Sequence, residues 1–406
     1  MDLGITERLA PLLEQVKAFI ANEIAPLEGE YLAEIANGDR WQFTARQTEI
    51  MEGLKAKARD QGLWNFFLTE GEHSSGLSTV EYAYLAEEMG KSHIASEVFN
   101  CAAPDTGNME VLAKYGSEAQ QKQWLEPLMA GEIRSAYAMT EPGLPSSDAR
   151  NISTSAVLEG DEYVINGRKW WSSGLGDPRC KVAIVMGVSD PDGEKHRRHS
   201  MIVVPLETPG VDILRSTSVF GYSDGGHGGH AEIDYDVWVP RENLLGELHG
   251  GFAIAQARLG PGRIHHAMRL IGMAERAFDL MCERSWTRFP FGKPIADQGV
   301  FQDWVAEARM KIEMVRLLVL KTAWLMDTVG NKGAAVEISA IKVAAPEMAT
   351  WVIDRAIETF GGAGVSQDTP LAELYSTARM LHIADGPDEV HKMSLARREL
   401  KRYRPE

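Results

Sequence analysis

The chain has 406 residues, 44% hydrophobic and 25% charged, with a formal net charge of −16. That length supports two or three domains with a sizeable core, and the acidic balance argues against a general nucleic-acid binder, because little offsets repulsion from phosphates. Cys101, Cys180 and Cys282 lie far apart and form neither a disulfide framework nor a zinc pattern. The opening "MDLGITERLAPLLEQ" lacks a basic leader with an apolar run, and no stretch of about 18 apolar residues occurs, so a cytoplasmic setting without a membrane span is expected.

The first third carries helical periodicity. "LLEQVKAFIANEI" spaces Leu12, Leu13, Val16, Phe19, Ile20 and Ile24 by three and four. "STVEYAYLAEEMGKS" and "MEVLAKYGSEAQQKQWLEPLMAGE" continue it, with glycines suited to helix caps. After about residue 135 the period becomes two. "SAVLEGDEYVINGRKWW" predicts a hairpin turning at "EGDE", and "KVAIVMGV" and "SMIVVPL" are short β-branched runs. "HAEIDYDVWVP" alternates Ala231, Ile233, Tyr235, Val237 and Val239 before a proline. From about residue 250 the helical period returns, with Ile264, Met268, Ile271, Ala274, Phe278 and Met281 on one face. Long helices are predicted over roughly 297–329, 333–360 and 370–402. The expected fold is α+β: an N-terminal helical domain (1–135), a middle β-sheet domain (136–248) and a C-terminal four-helix-bundle-like domain (249–406).

Several stretches are rich in chemistry. "YAMTEPGLPSSDA", 137–149, suits neither helix nor strand and predicts an ordered loop, which by composition alone is an ordinary connection. "GRKWWSSG", 167–174, ends a strand with two tryptophans; one fills the sheet core, or one lies against a flat cofactor. His227 and His230 in "FGYSDGGHGGH" lack a third nearby ligand, so no metal is expected. "GPGRIHH", 260–266, is placed just before a helix, with Arg263 either an anion contact or a helix-start charge. "FGGAGVSQD", 360–368, fails the dinucleotide fingerprint and follows a helix, which excludes a Rossmann unit. No Walker A run, Ser-His-Asp elbow or H-E-x-x-H occurs, and no carboxylate pair stands out for a hydrolase. "ADGPDEVH", 384–391, offers Asp385, Asp388 and Glu389 as solvated charge, a metal site or a base.

Together and in this order, these motifs resemble the flavin-dependent acyl-CoA dehydrogenase family over essentially the whole chain. "YAMTEPGLPSSD" resembles the family's Y-x-x-T-E-P-x-x-x-S-D loop, with one extra residue before Ser147 and Asp148. "EYVINGRKWWSSG" resembles K-x-W-(I/S)-(T/S), and "RFPFGKPI" at 288–295 resembles R-x-x-F-G-K. "ETFGGAGVSQDTPLAELYSTAR" resembles Q-x-x-G-G-x-G followed by the helix that carries the base, with Glu358 where the family usually has glutamine. The resemblance implies FAD between the β domain and the C-terminal bundle. It implies that Tyr137, Met139 and Thr140 line the flavin, that Ser147 sits near cofactor and substrate, and that Trp171 packs on the isoalloxazine with Ser173 near N5. Arg288 and Phe291 would reach FAD in a neighbouring subunit, and Glu358, Gly361 and Gly362 would approach its adenosine part, implying a homodimer or homotetramer.

The family's base lies in a Y-E-G-T pattern, matched here by Ala384, Asp385, Gly386 and Pro387, so the resemblance makes Asp385 the base. Some relatives carry the glutamate just before the arginine of the "GPGR" helix, where this chain has Gly262. Gly386 and Arg263 would adjoin substrate, and Pro387 and Glu389 the cofactor, although capping or solvating the turn is the favoured role for Asp388 and Glu389. Such chemistry needs a stabilised enolate and a carboxylate in dry surroundings, because a thioester α-proton is weakly acidic. Aspartate is shorter than glutamate by one methylene, about 1.5 Å.

"KWWSSG", "SVFGYSDGGHGGH", "RLGPGRIHH", "FGGAGVSQD" and "ADGPDEVH" resemble the branch associated with 4-hydroxy-acid catabolism. That implies an acyl-CoA oxygenated or phosphorylated near C4, with Arg150, His265 and His266 as candidate cations beside the substituent; an ordinary loop or helix-surface role has equal standing. Three functions are consistent with the chain. They are an FAD acyl-CoA dehydrogenase passing electrons to an electron-transfer flavoprotein, a flavin oxidase or monooxygenase of the same fold, and an inactive acyl-CoA- or flavin-binding subunit.

Overall fold

The structure, a computed structural model, describes residues 1–37, 43–222 and 228–404. They group into two compact units: Met1–Ala25 with Leu77–Ser96 and Arg263–Glu406, and Pro26–Gly76 with Glu97–Gly262.

The first unit is helical. Helix Thr79–Gly90 starts with a capping box, in which the Ser78 hydroxyl accepts from Glu81 N and the Glu81 carboxylate accepts from Ser78 N. The Asp327 carboxylate takes the next orphan donors, Thr79 N at 2.8 Å and Val80 N at 3.2 Å. This helix meets helix Gly251–Thr287 backbone to backbone. A Cβ on Gly90 would lie 2.2 Å from the Arg269 carbonyl oxygen, and one on Gly272 would lie 1.9 Å from that of Glu87. Ile264, Met268, Ile271, Ala274 and Met281 are buried, as the stripe predicts. Phe278 is half-buried, with the Arg309 guanidinium 4.3 Å from its ring.

Two helix expectations need correction. "GPGRIHH" does not precede a helix but lies inside one, since helix Gly251–Thr287 runs through Pro261. Proline costs this helix a hydrogen bond, but Leu259, Ile264 and Ala267 flank it and are buried, so packing overrides propensity. The predicted 370–402 helix is two helices, Leu371–Met380 and Asp388–Lys401. Apolar spacing continues across the gap, but Asp385 and Gly386 adopt positive φ (57° and 103°) and Pro387 is extended. The break falls on the stretch that carries the candidate base.

The second unit is built on one eight-stranded sheet. Its strands are β1 (Arg134–Ala138), β2 (Ser155–Glu159), β3 (Glu162–Ser173), β4 (Cys180–Val188), β5 (His199–Pro205), β6 (Val211–Thr217), β7 (His230–Pro240) and β8 (Leu244–Leu245). The order is β6-β7-β3-β2-β4-β5-β8, with β1 parallel to β4. β2 and β3 form the predicted hairpin. The alternating residues of β7 are all buried and pack with Ile165, Val185, Ile202 and Val204. Among the described residues no helix is long and apolar enough to cross a membrane.

Candidate functional site

In the sheet unit, the loop after β1 is tied to β3 by a buried ion pair that the sequence reading missed, although both residues stand inside the quoted motifs. Lys169 Nζ lies 2.8 Å from Glu141 Oε1 and also donates to the Met139 carbonyl at 3.1 Å. Glu141 accepts from Thr154 N (2.8 Å), Ser153 N (3.0 Å) and Ser153 Oγ (2.8 Å). Burial alone would raise its carboxyl, but the Lys169 charge and these hydrogen bonds outweigh that and hold it at about 2. Burial brings the Lys169 amine down to about 8 against the pull of Glu141.

The loop's backbone is fixed as well. Trp170 N donates to the Thr140 carbonyl at 3.0 Å. The Ser146 hydroxyl accepts from Glu141 N at 3.0 Å, while Ser147 is exposed. Asp148 caps the turn Ala149–Asn151 and holds the Arg150 guanidinium at 2.7 and 2.6 Å, so Arg150's charge is already engaged.

A bulge sends the two tryptophans different ways. β3 slips register against β7 between Lys169 and Ser172, and Trp171 takes φ 52°. A bulge re-aims the side chain at its apex: Trp170 is half-buried, whereas Trp171 is 37% exposed. Ser173 Oγ lies 2.8 Å from His230 Nδ1, and the His230 ring centroid is 5.4 Å from that of Trp171. His230 thus supports the strand end. His227 lies outside the described residues, among which no group of three or more His, Cys, Asp or Glu side chains is placed to hold a metal. Tyr137, half-buried on β1, carries the Arg258 guanidinium over its ring at 3.9 Å.

In the helical unit, Arg263, His266, Asp385 and Gly386 come together. The Asp385 carbonyl accepts from Arg263 Nε and His391 Nε2, both at 3.2 Å, and its Oδ2 lies 3.6 Å from His266 Nε2. Gly386 is required twice, by its φ of 103° and because a Cβ there would sit 3.0 Å from His391 Nε2. The loop is braced by Lys342, whose amine donates to the Leu381 carbonyl, and by Asp388 Oδ2, 2.5 Å from His382 Nδ1. Asp388 and Glu389 open the following helix, where negative charge suits the macrodipole; Pro387 is its N-cap residue and Glu389 is exposed. Burial lowers the Arg263 guanidinium, with Asp385 opposing. His265 is buried edge-on to Tyr82, and burial pushes it well below the ordinary histidine range, so it is a neutral core residue.

His391 makes this loop acid-sensitive. Burial and the charges of Arg263 and Lys342 push its imidazole down to about 4, against the Asp385 carbonyl bond and carboxylate. Its folded value lies below the unfolded value of 6.5, so its contribution is fully present above about pH 6.5 and lost as pH falls through about 4. The contribution is at most roughly 3 kcal/mol. Thermal unfolding from pH 7.5 to 4.5 is expected to fall less steeply in His391→Gln than in wild type; parallel curves would reject this role.

Arg288 and the glycine turn form a separate cluster. Arg288 Nη1 donates to the Thr359 carbonyl at 2.7 Å, and a Cβ on Gly361 (φ 64°) would lie 2.9 Å from Arg288 Nη2. Gly362 and Glu358 are exposed beside it, and Phe291, at φ 55°, is fully exposed.

A helical N-terminal region, a middle sheet and a helical C-terminal region, with these loops on them, define the three-domain acyl-CoA dehydrogenase fold. Three family models match in order: acyl-CoA dehydrogenase N-terminal domain over 6–132, middle domain over 136–233 and C-terminal domain over 249–400. The chain belongs to the acyl-CoA dehydrogenase family. It is 58% identical to FadE2 of Mycobacterium tuberculosis, named a probable acyl-CoA dehydrogenase, covering 99% of this chain and 98% of that one. It is 51% identical to mouse acyl-CoA dehydrogenase family member 10, covering 98% of this chain but only 37% of that protein. A solved structure named a putative acyl-CoA dehydrogenase from Mycobacterium abscessus matches with a TM-score of 0.94 and 51% identity, over 99% of this chain and all of that one.

Proposed function

We propose that the chain is an FAD-dependent acyl-CoA dehydrogenase in which the Asp385 carboxylate takes the α-proton of an acyl-CoA thioester. The observation that carries this reading is the base loop. An aspartate at positive φ costs about 1 kcal/mol or more, and here its carbonyl is clamped by the half-buried Arg263 and the buried His391 while its carboxylate remains beside His266. The clamps fix the residue through its main-chain carbonyl and so set the direction of the carboxylate, which suits a group that must receive a proton.

The residues fit a flavin. Trp171, with its ring turned outward by the bulge, and Ser173, steadied by His230, would flank the ring system; Tyr137, Met139 and Thr140 would line it from the loop that Lys169 and Glu141 lock. Arg288 and Gly361 would serve the adenosine end, with the exposed Phe291 reaching a neighbouring subunit of a homodimer or homotetramer. FAD, when bound, supplies the hydride acceptor for the β-carbon. Electrons would pass to an electron-transfer flavoprotein. The substrate class is an acyl-CoA oxygenated or phosphorylated near C4; Arg150 is already paired with Asp148, and His266 faces the base.

The test is to mix the FAD-loaded protein anaerobically with saturated acyl-CoAs, with and without C4 oxygen, and follow flavin absorbance. Bleaching, fastest with C4-oxygenated chains, is expected. No bleaching with any thioester would overturn the reading, and rapid reoxidation of the bleached protein by oxygen would assign it to the oxidases.

A further inference from the structure

Arg258 opens the stretch "RLGPGRIHH", but no role attaches to it from the sequence. In the structure it is buried, 9% exposed, on helix Gly251–Thr287. Its Nε donates to Asn108 Oδ1 at 2.9 Å, its Nη2 donates to the Pro104 carbonyl at 3.2 Å, and its plane lies over the Tyr137 ring. The slot is shaped for it, because a Cβ on Gly107 would come within 3.2 Å of its Cγ, Nε and Cζ. Asn108 is itself fixed by donating to Ser135 Oγ at 2.9 Å, and that hydroxyl donates to Asp105 Oδ1 at 2.6 Å.

The groups that touch Arg258 directly, Asn108, the Pro104 carbonyl and the Tyr137 ring, are neutral. They orient the guanidinium without neutralising it, and arginine does not shed its proton. Among the described residues Arg258 forms no ion pair with a carboxylate, and burial pushes the neighbouring Glu110 carboxyl up to about 8 despite the arginine's pull. A buried cation without a counter-charge is costly, and a fork with fixed geometry is well suited to an oxyanion.

We propose that Arg258 is a specificity-determining residue that recognises an oxyanion on the acyl chain of the thioester, where that chain passes the Tyr137 ring. This rests on the acyl-CoA reading above and names the residue that would select the substituent. The shared chemistry is a carboxylate or a phosphate monoester; a plain hydroxyl would gain less, because only an anion supplies the missing charge.

The experiment is done in Asp385→Asn protein loaded with FAD, so that binding is measured without turnover. Calorimetry gives Kd for four CoA thioesters: pentanoyl, 4-hydroxypentanoyl, 4-phosphooxypentanoyl and glutaryl. Arg258→Met and Arg258→Lys are then added. The expected result is that one or both anionic thioesters bind at least tenfold tighter than pentanoyl-CoA, and that Arg258→Met removes this advantage while pentanoyl-CoA changes less than threefold. Arg258→Lys, keeping charge but losing the planar fork, should retain part of it and guards against a folding defect in the methionine variant. The preferred anion distinguishes phosphate from carboxylate. An unchanged ratio in both variants would overturn the assignment alone, and so would loss of FAD without a change in ratio, which would give Arg258 to the cofactor. Failure of every thioester to bind would instead sink the acyl-CoA reading.

Discussion

Asp385→Asn is expected to slow anaerobic flavin bleaching by an acyl-CoA about 10²–10⁴-fold, the usual contribution of a positioned general base, with flavin content and thermal stability near wild type. Asparagine has the same shape and tolerates φ near 57°, as few other side chains do. The clamps from Arg263 and His391 fall on the main-chain carbonyl and survive the change. What is lost is the ability to hold a proton, together with the charge facing His266. Asp385→Glu keeps the acid but places a longer side chain on left-handed backbone, so partial activity with a lower melting temperature is expected. Wild-type bleaching by Asp385→Asn would end the assignment of Asp385 as base.

The base loop also shows where sequence reading succeeds and where it fails. Strand alternation in β7 and the stripe on helix Gly251–Thr287 were legible because each places one apolar face on a core, and period alone encodes that. The break at 381–387 was not, because apolar spacing carries across it and the interruption is made by backbone geometry at Asp385 and Gly386. The start of helix Gly251–Thr287 was hidden by Gly260, Pro261 and Gly262, residues that locally oppose a helix but are overruled by burial on both sides. Of the site, the motif residues were legible through resemblance. Their supports were not: His391, Lys342 and His230 act through contacts distant in the chain or across a fold-dependent turn, and single-residue patterns do not encode such pairings.

Lys169 and Glu141 are the supports with the largest expected cost. In Lys169→Met the Glu141 carboxylate keeps its backbone donors but loses the charge that overcame burial, and breaking a buried pair from one side costs about 3–5 kcal/mol. The sign of the pH dependence follows. Without Lys169 the folded Glu141 value rises, so the loss relative to wild type is largest at neutral pH and shrinks as pH falls and the carboxyl takes a proton. Lys169→Met/Glu141→Gln should regain part of the loss, because no charge is left buried and the glutamine carbonyl still accepts from Thr154 or Ser153. The same pair holds the backbone of Met139 and, through Trp170, of Thr140, so the single variant should also release FAD more readily on gel filtration. Denaturant unfolding at pH 7 and pH 5, read with the flavin-to-protein ratio, decides the matter. A variant within 1 kcal/mol of wild type that keeps its flavin would show that the loop is positioned by its hydrogen bonds alone.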